Sequence, residues 1–319
     1  ILSNVNRNFD SEKYAEKSSL LNTAGVIFGL DLIYGLPGDT LDGFKYSLNY
    51  ALRLQPNHLD IFPLAVLPGT ALYDIADSFN LKYNHNAPYT LISSTGFSAG
   101  DMTEAESLKN ACNVFYNQGG AAGWMFMVLE TLGIEPSDFL QSFAENIIPD
   151  TGRELSLNEI NVMQIQFVKE QFDKHHRSDL FPVMEDIIKI HGSMNISLYA
   201  GPYEGEVKTH FNCNSVIRLS PATKIIELKY KFDDLMTLGE FNIEEFLVQY
   251  RPEKTYVIIY NCRGSVKPLI VDKSIFKLMQ SINNRTPFKK ILKNNPAIAT
   301  DEAVEFIKYA LAETMISIV

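Results

Sequence analysis

At 319 residues, with 46% apolar and 21% charged residues, the chain is long enough for two or three domains and too apolar for a disordered class. Its net charge of -10 argues against general nucleic-acid binding, and no apolar run of about 20 residues suggests a membrane span. The three cysteines, Cys112, Cys213 and Cys262, stand singly, which suits a reducing cytoplasm and offers no metal-ligand spacing.

The first legible element is the nearly continuous apolar run 24–34 (AGVIFGLDLIY), and Leu59 to Val66 (LDIFPLAV) is a second. Runs of this length and evenness are expected of parallel strands covered on both faces. Between them, Leu41, Phe44, Leu48, Ala51 and Leu52 fall at helical spacing behind Asp39 or Thr40 as N-cap. Each run ends in the same device, Leu36-Pro-Gly-Asp-Thr40 and Leu67-Pro-Gly-Thr70, a Pro-Gly turn followed by a helix starting on threonine. The pattern is βαβα, an α/β fold in which small ligands lie at the carboxyl ends of the strands, facing helix amino termini.

From Thr103 the pattern becomes helical, with helices predicted over 103–117, 120–132, 136–147, 156–175 and 179–193. Trp124, Met125, Phe126 and Met127 read as core on one of these helices, with a cofactor cavity as the alternative. Val114-Phe-Tyr-Asn-Gln-Gly-Gly120 reads as a helix end closed by glycine. From Asn195 the reading turns to β, with strands at 210–219, 223–232 and 255–261 and turns at Ser220-Pro221 and Arg263-Gly264. Asp233-Asp234 is expected in a solvated turn, and His175, His176 and His191 as solvated histidines of helix ends. The last 55 residues predict a hairpin strand 266–271, helices 274–282, 286–292 (capped by Thr286) and 300–313, and a closing strand at 315–319. That order is a winged-helix pattern with eight Lys/Arg against five Asp/Glu.

Three ordered blocks carry a resemblance to a known family. Leu2-Ser-Asn-Val-Asn-Arg7-Asn-Phe-Asp10, Asp31-Leu-Ile-Tyr-Gly-Leu-Pro-Gly-Asp-Thr40 and Leu59 through Thr70, with Pro88-Tyr89 and Phe97 to Met102 after them, resemble the radical S-adenosylmethionine (SAM) enzymes. Within that family they are most similar to the branch with an amino-terminal cobalamin-binding domain. The resemblance implies a partial radical SAM (β/α) barrel, last strands only, over 1–102. A helical region (103–194), a β-rich region (195–264) and a winged-helix-like end (265–319) would come after it.

The same resemblance implies SAM as cofactor, with Gly35, Leu36 and Pro37 packing against adenine, backbone near Leu67 reaching its edge, and Arg7 paired with the SAM carboxylate. A guanidinium fork fits a carboxylate in two places, which is the physical reason for that pairing. The family's [4Fe-4S] cluster is held by a C-x3-C-x2-C run, which this sequence lacks. The expectation is therefore a carboxy-terminal part whose cluster, cobalamin domain and first half-barrel lie upstream, inert alone. The substrate, a peptide or a small molecule, is unspecified. The alternative is a non-catalytic module in which the β region and winged helix bind a peptide or protein. That end is similar in pattern to peptide-binding winged-helix domains of peptide-modifying relatives, although a structural cap on the barrel is the simpler reading.

Overall fold

In a computed structural model, residues 10–145, 153–201, 211–238 and 242–319 are described, and they fall into two compact units, 1–155 and 156–319. The first unit opens on α1 (Ser11–Thr23), a helix that the apolar pattern does not predict. Asp10 caps it by accepting the Lys13 N–H at 3.1 Å, and Ser18 is its one buried residue, so no apolar stripe announces it. Next come β1 (Gly29–Tyr34), α2 (Leu41–Arg53) and β2 (His58–Pro63).

The two strands pair in parallel, in register from Gly29 opposite His58 to Tyr34 opposite Pro63, with α2 as the crossover. α2 buries Phe44, Leu48, Ala51 and Leu52. Both strands are shorter than the apolar runs that predicted them. β1 starts only at Gly29 because Ala24 and Gly25 finish α1, where Gly25 takes a φ of +67°. The expectation of two covered faces also fails. Leu59 and Ile61 are buried while His58, Asp60 and Phe62 are exposed, so the sheet has one bare face. Among the described residues this sheet has two strands, and no closed barrel forms.

Beyond β2 lie α3 (Ala71–Asp74), the antiparallel pair β3 (Lys82–Tyr83) and β4 (Leu91–Ser93), and α4 (Ala99–Cys112). The Phe97-Ser-Ala-Gly-Asp-Met102 block is the start of α4. Ser98 and Asp101 form a reciprocal capping box at 3.1 and 2.7 Å, and Phe97 is buried against Tyr34. α4 widens into a π-turn over Asn113–Gln118 and ends at Gly120, which is left-handed, as the glycine pair predicts. α5 (Met125–Leu132) and α6 (Pro136–Ala144) close the unit. Trp124 and Met125 are core: Phe115 meets the rings of Trp124, Phe139 and Phe143 edge-on at 5.5, 5.2 and 4.8 Å.

The second unit packs α7 (Leu157–Lys174) along α8 (Phe181–Tyr199). α8 runs beyond the predicted end at residue 193, so 195–199 is helix and not the start of the β region. After β5 (Ile217–Leu219) and β6 (Lys224–Leu228) come α9 (Phe232–Leu235) and α10 (Ile243–Gln249), neither of them predicted. Asp233 and Asp234 therefore sit in the first turn of a helix, favourable for acidic groups, rather than in a loop. His210, the expected start of the first strand, lies outside the described residues.

β7 (Thr255–Cys262) and β8 (Ser265–Val271) form the expected hairpin, and β6-β7-β8 make an antiparallel sheet. α11 (Lys273–Gln280), α12 (Phe288–Lys293), α13 (Thr300–Ala312) and β9 (Ile316–Ile318) come after it in the predicted order. β9 does not join that sheet but pairs with β5. Thr286 does not cap α12; Pro287 occupies the cap position with no side-chain bond. His191 is likewise no helix-end histidine: it sits inside α8, where burial pushes its pKa down. No helix of the described residues is long and apolar enough to cross a membrane.

Candidate cofactor site

The parallel pair places two identical turns at one end of its sheet. In the first, Asp39 N donates to Leu36 O at 2.9 Å with Pro37 second and Gly38 third at φ +81°. In the second, Thr70 N donates to Leu67 O at 3.3 Å with Gly69 third, also at φ +81°. Proline at the second position and a positive φ at the third define a type II turn, which needs glycine there. Each turn feeds a threonine cap: Thr40 Oγ1 accepts the Gly43 N–H at 3.1 Å, and Thr70 Oγ1 accepts the Tyr73 N–H at 3.3 Å. Of the two candidate caps for α2, Thr40 is the cap. Asp39 is buried against its own helix start, accepting the Thr40 N–H at 2.9 Å, and burial raises its pKa.

The residues expected around SAM divide by placement. Gly35 and Pro37 are buried, Leu36 is half-buried, Leu67 is exposed, and Arg7 lies outside the described residues. Gly35 has a reason of its own to be glycine. It has φ +83°, and a Cβ there would come within 2.7 Å of Leu91 Cδ2 and 3.3 Å of Met102 Sδ. The space that a Cβ would take is therefore filled by the unit's own core. A Cβ on Gly69 would meet nothing within 4 Å, so the open approach lies on the second turn, beside Leu67.

The bare face of the sheet adds residues that the reading by apolar runs missed. Asp31 lies opposite Asp60 in the register, and His58 Nε2 sits 3.1 Å from Asp60 Oδ1. Exposed Ile33 and Phe62 lie on the same face, one step toward the turns. The alternation His58, Asp60, Phe62 against Leu59, Ile61 was the available signal, hidden within an overall apolar segment. The face thus combines an apolar ledge with two carboxylates. Cys112 is buried, its thiol pushed up to about 12 by burial; Cys262 is buried and Cys213 exposed. Among the described residues no group of three or more His, Cys, Asp or Glu is placed to hold a metal.

No family model matches this chain. A short local similarity hints at a relationship to the radical SAM family. A stretch of 46 residues is 44% identical to the heme chaperone HemW of Bacillus subtilis (strain 168), a protein of that family. The match spans 14% of this chain and 12% of HemW, so it is a local likeness.

Proposed function

We propose that the chain is the carboxy-terminal part of a radical SAM iron-sulfur enzyme, cobalamin-associated by the wording of its strand blocks and inactive alone. The observation that carries this reading is the parallel β1–β2 pair with its two Leu-Pro-Gly turns, together with the local similarity to a radical SAM protein. One bare sheet face, and a β1 edge with no strand partner among the described residues, are what barrel strands present when further strands belong beside them.

The donor set suits SAM. Leu36 and exposed Leu67 offer apolar surface to an adenine ring beside the open approach at Gly69, and Asp31 and Asp60 offer carboxylates to a cationic ligand. Gly35 and Pro37 are proposed to flank the adenine at the first turn, and Arg7 is proposed for the SAM carboxylate. The [4Fe-4S] cluster has no fitting ligand set among the described residues, so its ligands and cobalamin are assigned to other parts of the complete protein. When bound, these groups would supply a 5′-deoxyadenosyl radical or a transferable methyl group. This chain's contribution is to position adenine.

Anaerobic reconstitution of the complete protein with iron, sulfide and cobalamin, followed by detection of 5′-deoxyadenosine or S-adenosylhomocysteine, tests the reading. The 319-residue chain treated in the same way is expected to yield neither product and no brown chromophore. Product from the chain alone, or none from the complete protein, overturns the assignment; in the second case the non-catalytic binding module becomes the better account.

A further inference from the structure

The net charge of -10 belongs to the first unit, which has 8 basic and 18 acidic residues, whereas the second has 20 of each. Within that neutral unit the charges are segregated. Residues 273–300 contain Lys273, Lys277, Arg285, Lys289, Lys290 and Lys293 and no acidic residue. All six are exposed, and none is in an ion pair among the described residues. Six cations elsewhere in the unit are paired, for example Lys231 with Glu253 at 2.8 Å. What sets 273–300 apart is that its six cations have no carboxylate within the run to pair with.

A cavity of about 420 Å³ is lined in part by the segment between α11 and α12. Leu219, Pro221 and Ile282 give it an apolar lining, and Arg218, Asn283 and Asn284 give it polar groups. Arg218 is oriented from behind: its Nε donates to Ser317 Oγ at 3.0 Å, which leaves the terminal nitrogens free for a carboxylate. Asn283 spends its Oδ1 on the Arg285 and Thr286 N–H groups at 3.3 and 3.0 Å, which leaves its amide N–H groups as donors.

The geometry points to this face as the docking site of an acidic polypeptide segment, with an apolar side chain in the cavity, a neighbouring carboxylate on Arg218, and further acidic residues along α11 and α12. Two other polyanions fit less well. The aromatic residues of the run, Phe276 and Phe288, are buried and offer no stacking surface to nucleic acid. No large apolar residue of 273–300 is exposed for insertion into a lipid surface.

The test uses the full chain and fluorescence anisotropy with a labelled peptide of alternating glutamate and leucine. A lysine-leucine peptide, polyglutamate, a DNA duplex and phosphatidylserine vesicles are run beside it. The glutamate-leucine peptide is expected to bind, with affinity falling about tenfold between low and physiological salt. Lys289→Glu with Lys290→Glu, and separately Arg218→Ala, should each weaken it about fivefold or more, with the melting temperature unchanged in the charge reversal. Equal or tighter binding of DNA or vesicles, insensitivity to both variants, or a salt-sensitive dimer that excludes the peptide would each overturn the proposal. Equal binding of polyglutamate, unaffected by Arg218→Ala, would overturn the role of the cavity. None of these outcomes depends on SAM chemistry, so this inference and the proposed function fail separately.

Discussion

Asn117 and Leu59 are joined twice: Asn117 Nδ2 donates to Leu59 O at 2.9 Å, and Leu59 N donates to Asn117 Oδ1 at 3.0 Å. The amide, carried on the π-turn after α4, thus does for β2 what the backbone of another strand would do. Nearby, Leu91 N donates to Leu64 O at 2.8 Å and Val66 N to Tyr89 O at 2.9 Å, extending the cover past the strand's end. Removing the amide strands two half-buried backbone groups. Asn117→Ala is expected to cost about 2 kcal/mol in urea unfolding and to speed hydrogen exchange at the Leu59 amide. Exchange at Leu59 as slow as in the parent protein would show that another group replaces the amide.

The two turn-associated glycines separate packing from ligand access. Gly35→Ala is expected to destabilise the first unit by about 1–3 kcal/mol, through its positive φ and the close approach to Leu91. Gly69→Ala should lose only about 1 kcal/mol, from backbone strain alone. Chemical denaturation that ranks them the other way would contradict the tight packing around Gly35.

For the cofactor, the informative substitutions avoid the core. In the complete protein, Leu67→Glu is expected to lower SAM affinity about tenfold by isothermal titration, corresponding to about 1.4 kcal/mol, without a change in melting temperature. Arg7→Lys keeps the charge but gives up a fork, so a smaller loss is expected. Unchanged binding in Leu67→Glu would remove the second turn from the site.

Asp186 gives the second unit a pH signature. Its carboxyl is buried, with Oδ2 accepting the Lys229 and Tyr230 N–H groups at 2.6 and 3.0 Å, and burial raises its pKa from 3.8 to about 6. A folded-state pKa above the unfolded one means that the native state holds the proton more tightly. This group therefore favours folding most below about pH 4, and its contribution is lost as pH rises through about 6, by on the order of 2–3 kcal/mol. Asp186→Asn should gain stability relative to the parent across that window and run parallel to it above. A difference between the two that is constant from about pH 4 to about pH 7 would show that Asp186 is ionised throughout.

Thiol labelling should track burial. Under native conditions Cys213 is expected to react with a maleimide while Cys112 and Cys262 stay protected, and all three should react in denaturant. Native labelling of Cys112 would mean that α4 opens readily.

The features legible in the sequence were those that local chemistry dictates. Pro37-Gly38 and Pro68-Gly69 force the same turn wherever they sit, Thr40 and Thr70 cap the helices after them, and Arg263-Gly264 turns the β7–β8 hairpin. α1 stayed hidden because it buries almost nothing, and α9 and α10 because helices of four and seven residues leave too little periodicity. The role of Gly35 depended on Leu91 and Met102, which are distant in the chain, and that of Asp31 with Asp60 on a register that only pairing reveals. Asp186 reads as an ordinary helix residue until the end of β6 delivers two N–H groups to it.

The amide of Asn117 has a consequence for how this molecule meets copies of itself. With the far side of β2 blocked at Leu59 and β1 open among the described residues, strands can be added to this sheet in one direction only. Two chains that joined through β1 under two-fold symmetry would use up both open sides at once. Through this sheet the assembly would then be a closed dimer with no growing end, set by the position of a single side chain.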